Sequence, residues 1–305
     1  MNSKNKHLLV IAGPTAVGKT EICIKLAEFF RTEIISSDSR QFYREMAIGT
    51  AKPNPAELAR VPHHFIDSLS ITDSYDVKQF EKDALGLLGT LFEKHDLVIM
   101  TGGSGMYIDV VCFGIDDIPE VDPAIRRQLV SDYGQHGIAW LQESLQKRDP
   151  VHYGMVDLHN PQRLIRALEV SIGTGLPYSS FRKNKASSRE FNILLVGLER
   201  DRAELYERID QRMDLMIAGG LFGEVEGLRP FQHLNALQTV GYSEIFDYLD
   251  GKYDREEAIR LLKRNSRRYA KRQLTWFKRY EEMKWFQPDD FDAIVRFVQQ
   301  RVGKR

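Results

Sequence analysis

The sequence has little of what would place it in several large protein classes. It contains only two cysteines, Cys23 and Cys112, in 305 residues. Two isolated thiols in apolar stretches exclude a disulfide scaffold and a four-cysteine zinc site, and read as reduced core residues of a cytosolic protein. No apolar run reaches the roughly 20 residues that a membrane span needs. Met1 to Lys6 are polar, and no apolar signal segment follows them. Net charge is missing too, with 43 Lys and Arg against 43 Asp and Glu. Any electrostatic footprint for a nucleic acid must therefore be local. There is no internal repeat and no low-complexity segment. What remains is an ordinary globular mix, long enough for one large α/β domain or a core with a smaller insertion.

One stretch organises the rest. Gly13, Pro14, Thr15, Ala16, Val17, Gly18, Lys19 and Thr20 match G-x-x-x-x-G-K-[ST], the phosphate-cradling P-loop. The apolar run His7 to Ala12 before it reads as a buried strand, and Glu21 to Phe30 after it as an amphipathic helix. Gly13 and Gly18 let the backbone turn its N–H groups inward, and the helix N-terminus adds positive potential. Lys19 supplies a point charge for the terminal phosphates, and the Thr20 hydroxyl can hold Mg²⁺. The loop does not say whose phosphate it holds.

A second strand, Glu33 to Ser37, delivers Asp38 to the carboxyl end of the sheet, across from the loop. Three roles compete for Asp38: capping a following helix, binding Mg²⁺ through water, or acting as a general base. Lys52, in the loop Ile48 to Pro53, either reaches a phosphate or is solvated. His63 to Asp67 reads as a short strand, and its paired histidines have no third ligand at metal spacing. A helix over Asp76 to His95 and a strand over Leu97 to Thr101 follow. That strand lacks the acidic residue with which P-loop ATPases position Mg²⁺; it ends in Thr101 and the glycine turn Gly102 to Gly105. Ser104 there lines a site or caps the next helix.

From about Pro119 to Glu190 only helices are expected: Asp122 to Tyr133, Ile138 to Gln146, and Asn160 to about Ile172, stopped by Gly173 and Gly175. Arg126, Gln162, Arg163 and Arg166 lie on them, and singly each reads as a surface residue. A polar stretch, Lys183 to Glu190, is a plausible boundary. Strand character returns at Phe191 to Gly197. On the helix Glu204 to Ile217, Arg208 and Arg212 share one face and either clamp a phosphate or pair with Glu204 and Asp214. Gln238 to Ser243 forms another loop-to-helix turn. Arg260 to Arg279 holds nine basic residues and no acid, with Leu262, Tyr269 and Trp276 recurring every seven. Unbroken positive charge on a helix points to a negative partner, a nucleic-acid backbone or a diphosphate. Phe291 to Arg305 reads as a last helix.

Taken together, the segments GPTAVGKT (Gly13–Thr20), SSDSRQFY (Ser36–Tyr43), IGTAKP (Ile48–Pro53), GGSGMY (Gly102–Tyr107), DPAIRR (Asp122–Arg127), NPQRLIRALEV (Asn160–Val170), RIDQRMDLM (Arg208–Met216), TVGYSE (Thr239–Glu244) and AKRQLTWFKR (Ala270–Arg279) closely resemble the tRNA dimethylallyltransferase, or isopentenyltransferase, family. They follow the family's order over nearly the whole chain.

The resemblance implies an α/β fold: a P-loop core with a parallel sheet over 1–118 and 189–305, and a helical insertion over 119–188 that contacts tRNA. It implies transfer of a dimethylallyl group from dimethylallyl diphosphate to N6 of the adenosine 3′ of the anticodon in certain tRNAs. Diphosphate leaves and Mg²⁺ is the cofactor. By the same resemblance Asp38 is the catalytic base, with Thr101, Ser104, Arg208 and Arg212 at the transfer site. The tRNA contacts are Asp38, Ser39, Arg40, Gln41, Ser104, Arg126, Gln162, Arg163, Leu164, Ile165, Arg166, Gln238, Thr239, Val240, Gly241, Tyr242, Ser243, Lys271, Arg272, Gln273, Leu274, Thr275, Trp276, Phe277 and Lys278. The Cys/His zinc extension of eukaryotic members is absent after Arg279, which implies a bacterial-type cytoplasmic enzyme, expected as a monomer. Two rival readings are a small-molecule kinase on the same core and a nucleic-acid-binding module with a vestigial loop. The kinase does not need the basic helix. The module does not need an intact Gly18-Lys19-Thr20 with Asp38.

Overall fold

The computed structural model describes residues 5–182 and 187–303. Among the described residues six strands, His7–Ala12 (β1), Ile34–Ser36 (β2), His63–His64 (β3), Leu97–Gly102 (β4), Asn192–Leu198 (β5) and Lys284–Phe286 (β6), form one parallel sheet in the order β3-β2-β4-β1-β5-β6. The helices, in chain order, are Lys19–Phe30 (α1), Pro55–Arg60 (α2), Val77–Lys94 (α3), Gly105–Phe113 (α4), Pro123–Arg148 (α5), Pro150–Tyr153 (α6), Pro161–Thr174 (α7), Arg202–Ala218 (α8), Leu221–Gly227 (α9), Ser243–Leu249 (α10), Arg255–Phe277 (α11) and Phe291–Val302 (α12). The chain divides into two compact units, 1–113 with 188–305, and 114–187.

In the larger unit β1 is the central strand and is buried on both faces. Its alternation sends Leu9 and Ile11 to one side, against α1, α8 and α12, and Leu8, Val10 and Ala12 to the other, against α3 and α4. Each such Leu, Val or Ile contributes about 1.5–3 kcal/mol on burial. Register fixes the functional end. Ala12 pairs with Gly102 on one side and Gly197 on the other, and Ser36 pairs with Thr101. The loops after β1, β2 and β4 therefore emerge at one level. The chain leaves β1 and β4 in opposite directions across the sheet, which opens a crevice at their carboxyl ends.

Helix starts follow the side chains that cap them. Asp76, Asp201 and Asp254 accept from the first-turn N–H groups of α3, α8 and α11. The smaller unit is helical. Asp122 and Asn160 cap α5 and α7, each with a proline in the first turn. Gly137, at φ 74°, breaks α5 where two helices were expected, and Gly175, at φ 72°, ends α7. Leu129, Leu141, Leu145, Leu164 and Leu168 form this unit's own core.

Several sequence-based expectations need correction. The strand expected over 63–67 is only His63–His64, because Phe65 and Asp67 adopt left-handed backbone (φ 61° and 52°). The last helix ends at Val302, and the boundary expected at 183–190 lies partly outside the described residues. Of the seven-residue stripe on α11, only Leu262 is on its buried face. The buried residues are Ala258, Leu262, Ser266, Ala270, Gln273 and Phe277, while Tyr269 and Trp276 are half-buried. Both cysteines are buried, and burial pushes each thiol up to about 12. Among the described residues no helix is long and apolar enough to cross a membrane.

Candidate active site

The phosphate loop is held in shape by side chains from three other elements. Arg200, just before α8, donates Nε–H to the Val17 carbonyl (2.9 Å), and Arg208 donates to the Ala16 carbonyl (3.0 Å). Arg212 donates to the Thr15 hydroxyl, and the Thr15 N–H donates to Oε1 of Gln273 on α11 (2.8 Å). The rival pairing for Arg208 and Arg212 is not made. Glu204 pairs with Arg200, and Asp214 with Lys263. The two glycines serve different needs. Gly18 sits at φ 113°, whereas a Cβ on Gly13 would meet the Leu198 carbonyl at 2.8 Å. No side chain caps the N-terminus of α1, so its N–H groups remain for a ligand.

Lys19 donates to the Gly13 and Pro14 carbonyls (2.9 and 2.8 Å). Burial pulls its ammonium down to about 8, and the Asp38 charge partly offsets this. Asp38 follows β2 in a turn. Its Oδ1 accepts from the Arg40 N–H (3.1 Å), and no helix follows, so the helix-cap reading of Asp38 is wrong. Asp38 lines two clefts. One also holds Lys19, Thr20, Thr101 and Gly102. The other holds Thr15, Arg212, Tyr269 and Thr239 to Tyr242.

The glycine turn after β4 packs against protein. A Cβ on Gly102 would lie 2.3 Å from Ser37 Oγ, one on Gly103 2.1 Å from Gln273 Nε2, and one on Gly105 2.1 Å from Trp276. Ser104 Oγ accepts from the Ser39 N–H (3.2 Å) and contacts the Ser39 hydroxyl (3.2 Å), so its hydroxyl ties two loops together. Thr101 donates to the Ile11 carbonyl (3.0 Å) and lines the cleft beside Lys19. Gln41 bridges Ser36 to the Thr50 and Ala51 carbonyls. Lys52 is not solvated: it bonds the Tyr43 carbonyl (2.6 Å) and pairs with Asp67.

The residues expected at tRNA fall into two groups. Arg40, Gln238, Thr239, Val240 and Ser243 lie at or beside the second cleft, with Gln238 bonded to the Gln232 carbonyl. Lys271, Arg272 and Thr275 are exposed on α11, and Lys278 is exposed just past its end. Others face inward. Tyr242 is fully buried and donates to Glu224 (2.6 Å), whose carboxylate also accepts from the N–H groups of Ala47, Ile48 and Gly49. Phe277, Gln273, Leu164 and Ile165 are buried, and Leu274 and Trp276 pack on the cores, so direct side-chain contact with RNA is not open to the buried four. In the helical unit, buried Glu169 takes Arg126 (2.8 Å) and Arg166, and Arg126 also donates to Gln162 (2.9 Å); Arg163 is exposed.

The basic run of α11 is largely answered from within. Arg260 pairs with Glu257, Lys263 with Asp214, Arg267 with Asp210 and Arg279 with Asp109. Among the described residues Arg264, Arg268, Lys271, Arg272 and Lys278 make no ion pair, and they are the charge left for a partner. Arg200, Tyr269, Glu224 and the role of Gln273 escaped the sequence reading. Tyr269 was marked only as part of the seven-residue stripe, and Gln273 only as an expected tRNA contact.

A family described as IPP transferase matches residues 41–280. The chain belongs to this family. The curated relatives are tRNA dimethylallyltransferases. That of Christiangramia forsetii is 52% identical over 98% of this chain and 99% of its own, and tRNA dimethylallyltransferase 1 of Phocaeicola vulgatus is 50% identical over 95% and 97%. Among solved structures, the full-length tRNA isopentenylpyrophosphate transferase of Bacillus halodurans superposes at a TM-score of 0.73, with 38% identity over 99% of this chain and 98% of that one. A eukaryotic dimethylallyltransferase acting on tRNA gives 0.76, with 25% identity over 97% and 77%. As a member of the family this chain is a prenyltransferase of tRNA, and the kinase and binding-module readings fall. The P-loop and Asp38 precede the matched segment, so their roles rest on the geometry above.

Proposed function

We propose that the protein transfers the dimethylallyl group of dimethylallyl diphosphate to N6 of the adenosine 3′ of the anticodon, with Asp38 as general base. The adenine amine is a weak nucleophile because its lone pair is delocalised into the ring. Removing its proton as the N–C bond forms assists attack. The target base must leave its stack to reach a crevice at the end of a sheet. As the allylic C–O bond breaks, negative charge gathers on the departing diphosphate. Lys19 and the α1 N-terminus line the cleft proposed to hold it, Arg212 lines the adjoining cleft, and Arg208 braces the loop through the Ala16 carbonyl.

The observation that carries this reading is the position of Asp38, which lines both the Lys19–Thr20 cleft and the Tyr269–Thr239 cleft. A donor in the first and a base in the second would meet at its carboxylate. Tyr269 is a neutral phenol beside it, its hydroxyl pushed up to about 12 by burial and by the Asp38 charge. Mg²⁺ fits the residues present. Among the described residues no group of three or more His, Cys, Asp or Glu side chains is disposed to hold a metal. The Thr20 hydroxyl lines the cleft, a single protein donor suited to an ion held mostly by phosphate oxygens and water, and this leaves the Asp38 carboxylate to act as base. Bound there, Mg²⁺ would offset diphosphate charge. A tRNA substrate supports action in the cytoplasm, and we take the acting unit to be a monomer.

The test is incubation of the protein with labelled dimethylallyl diphosphate, Mg²⁺ and unmodified tRNA. Label on the adenosine 3′ of the anticodon, with one diphosphate released per label, is the expected result. Label elsewhere in the tRNA would overturn the assignment of acceptor.

A further inference from the structure

Gln273 sits in the middle of the basic helix, yet it is only 5% exposed. Its amide is used at both ends. Oε1 accepts the Thr15 N–H of the phosphate loop (2.8 Å), and Nε2 donates to the Gly103 carbonyl of the turn after β4 (2.9 Å). The partners fix the amide's orientation, because a backbone N–H needs an acceptor and a carbonyl needs a donor. The turn is shaped to receive it, since a Cβ at Gly103 would lie 2.1 Å from Nε2. One side chain thus joins the phosphate loop, the turn bearing Thr101 and Ser104, and the helix bearing Lys271 and Arg272, with Lys278 just past its end.

We infer that Gln273 is a positioning residue for the prenyl donor: it holds the phosphate loop and the β4–α4 turn in register, and does not contact RNA. This rests on the placement of diphosphate proposed above. Two consequences follow from the geometry. First, losing the amide leaves the half-buried Thr15 N–H and the buried Gly103 carbonyl without their partners, so the loop shifts to satisfy them. The donor then binds a misplaced cradle. Second, the exposed basic residues on either side of Gln273 stay where they are, so tRNA affinity is untouched.

The experiment is steady-state kinetics at saturating tRNA with a near-isosteric variant, Gln273→Met, alongside Gly103→Ala, which displaces the amide from the other side. The donor KM is expected to rise about tenfold in both, the worth of roughly one buried hydrogen bond, with the tRNA Kd within about twofold of wild type. Leu262→Ala, on the same helix but remote from the loop, controls for loss of stability. A raised tRNA Kd with an unchanged donor KM would overturn the inference in favour of an RNA contact. An unchanged donor KM and tRNA Kd, or a change matched by Leu262→Ala at equal loss of melting temperature, would overturn it too. Lys19→Met separates this from the reading beneath it. If that variant leaves the donor KM unchanged, the diphosphate placement itself is wrong; if Lys19→Met raises it and Gln273→Met does not, only the role of Gln273 falls.

Discussion

If Lys19 holds the donor diphosphate, as proposed, its burial makes donor binding pH-dependent in a definite direction. Burial holds its ammonium at about 8 in the free protein. A bound diphosphate brings negative charge beside it and raises that value again. Donor affinity is therefore complete only well below pH 8, and it falls as pH rises through it. At pH 9 about one lysine in eleven is protonated in the free protein, so the apparent Kd rises about elevenfold if the bound form stays protonated. The effect on folding has the opposite sign. Between about 8 and the ordinary lysine value of 10.5 the unfolded chain binds more protons than the folded one, so this group's contribution to stability rises with pH. Calorimetric titration of dimethylallyl diphosphate from pH 7 to 9.5, with Lys19→Met as the control, reads the first effect. A Kd that is flat across this range in the wild type, or that climbs equally in Lys19→Met, would refute the assignment of Lys19 as a titrating phosphate ligand.

Three further predictions concern the supports of the site. Gly49→Ala places a methyl 2.5 Å from the Tyr242 ring; overpacking against this fully buried side chain should cost about 1–3 kcal/mol, read by denaturant unfolding. Glu169→Gln removes the charge that holds Arg126 and Arg166. It should weaken tRNA binding several-fold in a filter or gel assay and leave the donor KM alone, and an unchanged tRNA Kd would show the pair to be structural only. Lys271→Glu should weaken tRNA binding and lower the slope of log Kd against log salt by about one phosphate contact; a slope equal to wild type would remove Lys271 from the interface.

What the sequence made legible was local or set by strand register. The strand–loop–helix of the phosphate site is contiguous, so its motif is read directly, and parallel pairing of Ser36 with Thr101 brings Asp38 to it. What stayed hidden depends on partners distant along the chain. Lys263 and Arg267 seemed to await an external anion, but their carboxylates are Asp214 and Asp210 on α8. The buried face of α11 runs through Ser266, Ala270 and Gln273, small or polar residues that no hydrophobic stripe marks. Gly103 and Gly105 read in the sequence only as parts of a tight turn, and they are room for Gln273 and Trp276. Glu224 carried no signal at all, because a carboxylate that gathers three loop N–H groups looks in sequence like any surface acid.

The most direct test of the central claim, that Asp38 is the base between donor and acceptor, is single-turnover transfer by Asp38→Asn. Asparagine keeps an oxygen for the Arg40 N–H, so the turn survives while the proton acceptor is lost. The account predicts tRNA and donor affinities within about threefold of wild type and transfer slower by at least roughly 100-fold. Transfer at a near-wild-type rate would contradict it.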